Sequence, residues 1–152
     1  MFVPTKVLLA DILNFISVTQ AGAGECILFP AKIGLIKSDF SFTPDSIQAD
    51  VDAVEADYNT YAQVAAAPYT VAFSGEGGLI IIRATLMHVQ MTDDLAPNTI
   101  YGAFLTDTGG TILLGGERFT DPIPLATVLD AFDYRLTFGF DPAANYGLGL
   151  LG

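Results

Sequence analysis

From Tyr69 to Phe140 the chain repeats one pattern: short runs of β-branched and apolar residues, each closed by a cluster of Gly, Pro, Asp or Asn. That rhythm is the signature of an antiparallel sandwich or barrel, because such runs bury one face each and the intervening residues supply the turns. Tyr69–Ser74 is the first candidate strand. After the Gly75–Gly78 turn, Leu79–Gln90 (LIIIRATLMHVQ) is long enough for a central strand. Asp93–Asn98 reads as a loop, Thr99–Thr106 and Thr111–Phe119 as the next two strands, and Asp121–Pro124 as another loop. Leu125–Asp130 suits a short helix or strand, and Tyr134–Phe140 alternates Tyr134, Leu136, Phe138 and Phe140 onto one face. The fold class expected is mainly β: an antiparallel, jelly-roll-like β-sandwich with a short N-terminal helix and one or two short helical turns.

The N-terminal half reads differently. In Thr5–Ser17 (TKVLLADILNFIS), Val7, Leu8, Ile12, Phe15 and Ile16 fall near helical spacing with Asp11 and Asn14 opposite, so an amphipathic helix over about 5–17 is expected. The Ala21–Glu25 breaker ends it. Ile27–Ile36 is apolar but interrupted by Pro30, which cannot donate to a central ladder; an edge strand or two short ones follow. Thr43 before Pro44 has the form of an N-cap with Pro at the first helical position, predicting a helical turn at Pro44–Gln48. The whole is read as a single domain over 1–152, with an acidic connecting segment at about 40–66, a β core at about 69–140 and an extended tail at 141–152.

Composition narrows the function classes. Apolar residues make up 51% and charged residues only 15%, more apolar surface than an ordinary soluble domain carries, so part of it is expected to meet another chain. A membrane is the other sink for such surface, but Asp11 and Asn14 break Val7–Val18 and Arg83 breaks Leu79–Val89, leaving no run of about 20 apolar residues. The same two residues spoil Val7–Val18 as the core of a signal peptide. Seventeen acids against six bases give a net charge of −11, with Lys6, Lys32, Lys37, Arg83, Arg118 and Arg135 scattered. Neither nucleic acid nor an acidic lipid surface is an expected partner, because both need a basic footprint. One cysteine, Cys26, excludes an internal disulfide framework and a cysteine-based metal site.

Asp107-Thr108-Gly109 follows an apolar run as an aspartic-protease triplet does. Such an enzyme needs two carboxylates sharing one proton, here only through a dimer, and Ile112–Gly115 arrives too soon after the triplet to pack behind it. A tight hairpin needs the same residues, Gly for positive φ and Asp to bond the turn. The hairpin is the expectation. His88, the only histidine, admits no paired-histidine metal site or relay. Ser74 lacks the glycine two positions before it that a nucleophile elbow requires, and the glycine-rich turns lack a phosphate-loop Lys-Ser/Thr. Asp45, Asp50, Asp52, Glu55 and Asp57 invite an ion-site reading, but no Gly lies between Ser41 and Ser74 to turn a calcium loop, and charge runs usually mark a solvated face. Phe40, Phe42, Tyr58 and Tyr61 suit a core or subunit contact better than a sugar-stacking platform. No catalytic, cofactor-binding or metal-ligating residue is assigned, and no cofactor is expected.

Four stretches carry a resemblance: Gly34–Pro44 (GLIKSDFSFTP), Val54–Ala62 (VEADYNTYA), Ile100–Asp107 (IYGAFLTD) and Gly116–Phe119 (GERF). In order and over about two-thirds of the chain, they resemble motifs of small structural proteins of tailed-phage and prophage virions. Asn59-Thr60 and Tyr58 depart from the family pattern, and the tail has no counterpart in it. The resemblance implies a non-enzymatic virion protein on the capsid surface, a decoration or cement protein stabilising the head. It implies as partners copies of itself, with a trimer suiting local three-fold axes, and the major capsid or another virion protein. The terminal segments are expected to reach neighbours through Phe2, Val3 and Pro4 at one end and Tyr146, Leu148, Leu150 and Leu151 at the other. The alternative is a tail, fibre or surface β-sandwich binding module recognising carbohydrate or a receptor.

Overall fold

The computed structural model describes residues 2–10, 31–73, 80–92 and 96–140. The chain is mainly β, with antiparallel sheets and few helices. Among the described residues the largest sheet has five strands in the order β1-β8-β7-β2-β3, where β1 is Phe2–Pro4, β2 Ala31–Ile36, β3 Val64–Ala65, β7 Asn98–Asp107 and β8 Leu113–Leu125. Every pairing in it is antiparallel.

This sheet is covered on both faces, which explains why its central strands are apolar runs rather than alternating ones. Side chains of successive strand residues point to opposite faces. Accordingly Ile33, Leu35, Ala103 and Leu105 enter one buried cluster, while Ile36 and Phe104 enter a second with Phe42, Val51 and Leu113. The second cluster is roofed by the segment after β2. There the helix α2, Gln48–Asp52, second after the N-terminal helix α1 at residues 6–10, buries Gln48 and Val51, and the Gln48 side chain accepts a 2.9 Å bond from the Thr106 hydroxyl on β7.

The first cluster is closed by a bent antiparallel ribbon. One arm is β5 (Ile80–Arg83) followed by β6 (Met87–Gln90), and the other is β9 (Ala131–Tyr134) followed by β10 (Thr137–Phe140). β5 pairs with β10, and also with β4 (Thr70–Phe73); β6 pairs with β9. Both arms break at the same level, at Ala84–Leu86 and Arg135–Leu136, joined there by Ala84 N–H donating to Leu136 O. Thr85 N–H donates to Ala66 O and its hydroxyl to Pro68 O, so the bend is tied to the chain after β3. Ile82, Met87, Val89, Leu136 and Phe138 point from the ribbon into the core, and Phe138 stacks on Phe2 with centroids 4.7 Å apart.

Several expectations are corrected here. Leu79–Gln90 is not one central strand but two in different sheets, because buried Ala84 and exposed Leu86 break the alternation. Tyr134–Phe140 divides likewise. β2, Ala31–Ile36, lies inside the large sheet between β7 and β3, not at an edge, and Pro30 lies outside the described residues. Asp121–Pro124 is the far half of β8, not a loop; β1 covers only Gly115–Glu117 of that strand, and Pro122 and Pro124 occupy a stretch needing donors on one side only. Leu125 ends β8, and the residues after it form a turn in which Ala126 and Thr127 N–H donate to the Asp130 carboxylate. α2 starts four residues later than Thr43-Pro44 suggests: Thr43 to Ser46 closes a single turn, with Ser46 N–H donating to Thr43 O, and the helix begins where the Asp50 carboxylate accepts from Ile47 N–H.

At the N-terminus residues 6–10 are helical. Thr5 begins the helix as the sequence indicates: its hydroxyl accepts from Leu8 N–H and donates to the Leu113–Leu114 carbonyls of β8. Leu8 and Leu9 are buried but Val7 is exposed, so the buried stripe is shifted from the one the spacing indicates. The remainder of the expected 5–17 helix, the Ala21–Glu25 breaker, the Gly75–Gly78 turn and the tail lie outside the described residues.

Candidate functional site

Asp107 sits at the head of the β7–β8 hairpin, and its carboxylate is consumed by that turn. Oδ1 accepts from Thr111 N–H (2.7 Å) and Ile112 N–H (2.8 Å), Oδ2 from Gly109 N–H (3.2 Å). Gly110 takes φ 68°, the left-handed conformation the turn requires. Partial burial pushes the Asp107 carboxyl up, but the three backbone donors outweigh it and hold the group below the usual aspartate range. A carboxylate so held is a turn fastener. The Asp-Thr-Gly triplet therefore forms the hairpin its turn chemistry predicts.

The acidic segment resolves into a frame of internal bonds. Asp45 pairs with Lys6, Asp50 caps α2, and Asp52 accepts from the Gln48 amide. Glu55 Oε1 accepts from both the Tyr61 hydroxyl (2.7 Å) and the Gln63 amide (2.9 Å), while Tyr61 itself accepts from Leu35 N–H on β2. Burial and the Glu55 carboxylate drive the Tyr61 phenol far above the ordinary tyrosine range. Asp57 is bound by Lys37 and by Asn98, which together lower its pKa. Lys37, Asp52, Glu55, Asp57, Tyr61 and Gln63 line an open groove of about 620 Å³, and each acid on it has a partner from its own chain. Among the described residues, no group of three or more His, Cys, Asp or Glu side chains is arranged to hold a metal ion. Phe42 and Tyr58 are buried and Tyr61 is half-buried, so these aromatics serve the core.

His88 is exposed on β6, its Nδ1 2.6 Å from the carboxylate of Asp133, the residue directly opposite on β9. The Asp133 hydrogen bond, aided by Gln90, raises its pKa.

Of the sequence-assigned contact residues, Phe2 is spent inside the chain, buried between β8 and Phe138. Val3 and Pro4 are half-exposed in β1. Tyr146, Leu148, Leu150 and Leu151 lie outside the described residues. Sequence reasoning missed other exposed apolar side chains: Val64, Leu86, Val128 and, most exposed, Leu129 stand apart from a further three, Val7, Ile47 and Ile112. These last three belong to segments tied together at the hairpin end of the large sheet, by Lys6 N–H to Pro44 O, Thr5 N–H to Leu114 O, and Thr106 Oγ1 to both Gln48 and Ile112. Among the described residues no helix is long and apolar enough to cross a membrane.

No protein-family model, curated protein or solved structure matches the chain.

Proposed function

We propose that the chain is a non-enzymatic structural protein of a tailed-phage virion, a capsid decoration or cement protein that works through contacts with copies of itself and with a shell protein. In this reading the large sheet and the bent ribbon are the two layers of a β-sandwich. The observation that carries it is spatial. The four stretches that resemble virion proteins, scattered from Gly34 to Phe119, lie together around β2, β7 and β8: Ile36 bridges Glu55, Leu35 N–H binds Tyr61, Phe104 faces Gly116, and Arg118 pairs with Asp39. Shared motifs that converge on packing rather than on a reactive group favour a shared scaffold with a contact role.

The surface supports the same reading. Val7 and Ile47 are 46% and 60% exposed, with Ile112 and half-exposed Val3 and Pro4 in neighbouring segments, an apolar area suited to another chain. Closed symmetric association is the usual way to cover such an area, and a trimer matches capsid local three-folds. The acidic excess keeps free copies apart before assembly.

Light scattering on the purified protein and immunolabelling of particles made from the genome that encodes it test the proposal. Trimers in solution and label on heads are expected. A monodisperse monomer together with unlabelled particles sinks it. Val7→Asp with Ile47→Asp should convert trimer to monomer while leaving the melting temperature unchanged.

A further inference from the structure

Where β8 runs past the end of β1, one side of the strand presents Glu117, Phe119, Asp121 and Ile123 to a cleft, across a stretch where its register against β7 shifts. That face looks across an open cleft of about 390 Å³ at Phe132, Asp133 and Tyr134 of β9. The floor is aromatic. Phe119 and Tyr134 meet with centroids 5.3 Å apart, and the Tyr134 hydroxyl, buried beneath the rim, donates to Glu117 Oε1. The rim is acidic, with Glu117, Asp121 and Asp133 against Arg118, whose guanidinium is engaged by Asp39. Asp133 faces His88, and Asp121 has no partner among the described residues.

We infer that this cleft is a docking site for an arginine or lysine side chain presented by a partner protein. Aromatic faces attract a cation through their quadrupole, and a basic side chain can lay its methylene stem on the rings while its head meets the carboxylates. Charge selects the source. With seventeen acids against six bases, and Lys6, Lys37 and Arg118 already paired with Asp45, Asp57 and Asp39, a second copy of this chain is a poor donor. The occupant is a different protein with a basic surface. The inference does not rest on the virion reading; it names the kind of surface such a partner must show.

The test is an amide NMR titration of the full chain with a short Gly/Ser peptide carrying arginine, against the same peptide carrying glutamate or norleucine. Expected are saturable shifts confined to Glu117–Ile123 and Phe132–Tyr134 with the arginine peptide alone, and upfield movement of its methylene protons as they enter the ring currents. Asp121→Asn and Phe119→Leu should each weaken binding about three- to fivefold, the size of one exposed charge or cation–π contact. Asp121→Lys should abolish the preference for arginine over glutamate. Because Asp121 is exposed, its variants test the cleft even if Phe119→Leu unfolds the chain. Absence of saturable shifts, shifts spread over all the acids, equal response to norleucine, or another part of the chain filling the cleft over Phe119 and Tyr134 in the free protein would each overturn the inference.

Discussion

Phe104 and Gly34 are cross-strand partners, and the Phe104 ring lies across the place where a Gly34 side chain would be. The row continues: Phe104 is also opposite Gly116 on β8, and the space above Gly116 is filled by Phe42 from the segment after β2. Two large rings pack flat on a sheet because two glycines flank the central phenylalanine.

Adding a methyl to either glycine should therefore overpack the second cluster. Gly34→Ala and Gly116→Ala are each expected to cost about 1–3 kcal/mol by urea denaturation. Combining Gly34→Ala with Phe104→Leu should recover part of that loss, since the smaller side chain vacates the methyl's place. Strict additivity would mean the ring is not the obstacle.

How much of this was legible follows from which residues carry local information. The β7–β8 hairpin was legible because Asp107 and Gly110 encode their own turn. β7 was legible to within a residue at each end because its apolar middle, Ile100–Leu105, lies between the Pro97-Asn98 loop signal and the Asp107 turn. The ribbon's bend was not, since Ala84–Leu86 and Arg135–Leu136 contain no Gly or Pro, and the break exists only because the two arms turn together over the core. Pro122 and Pro124 misled in the opposite direction, as a strand with one bare edge tolerates them. The acidic rim and aromatic floor of the β8–β9 cleft come from residues up to 17 positions apart that no periodic pattern links.

The hairpin should respond to pH through Asp107. Its folded pKa is lowered, so its contribution to stability is present above the unfolded value near 4 and fades as pH falls through the folded one. Asp107→Asn, which keeps one acceptor oxygen, should cost about 1–2 kcal/mol at neutral pH and progressively less in acid, where both side chains are uncharged. A constant difference down to strongly acidic pH would contradict the assignment. The purified protein should also show no pepstatin-sensitive cleavage at acid pH, and finding such activity would return Asp107 to a catalytic role.

His88 supplies the opposite sign. Its folded pKa is raised by Asp133, so the pair stabilises the β6–β9 ribbon below the unfolded histidine value and that contribution is lost as pH rises through the folded one. Proton NMR of the imidazole should show its midpoint moving down toward the ordinary value in Asp133→Asn. An unchanged midpoint would mean the ion pair does not form in solution.

Tyr134 links β9 to β8, and its hydroxyl is held against Glu117 beneath the cleft. Burial, with the Glu117 charge and hydrogen bond adding to it, pushes this phenol far above the usual range, and Tyr61 is held back in the same way over Glu55. Both must stay protonated while the chain is folded, so their stabilisation is present below the unfolded tyrosine value and is lost as pH rises above it. A spectrophotometric titration should show Tyr61 and Tyr134 among the tyrosines that ionise only with alkaline unfolding, and Tyr134→Phe should reduce the withheld number by one. The same substitution should cost about 1–2 kcal/mol at neutral pH, because it removes the phenol's hydrogen bond to a half-buried carboxylate. Glu117→Gln keeps an acceptor for the phenol and should cost less. If Tyr134 instead ionises with the exposed phenols while the fold persists, the Glu117 bond is not what joins β8 to β9.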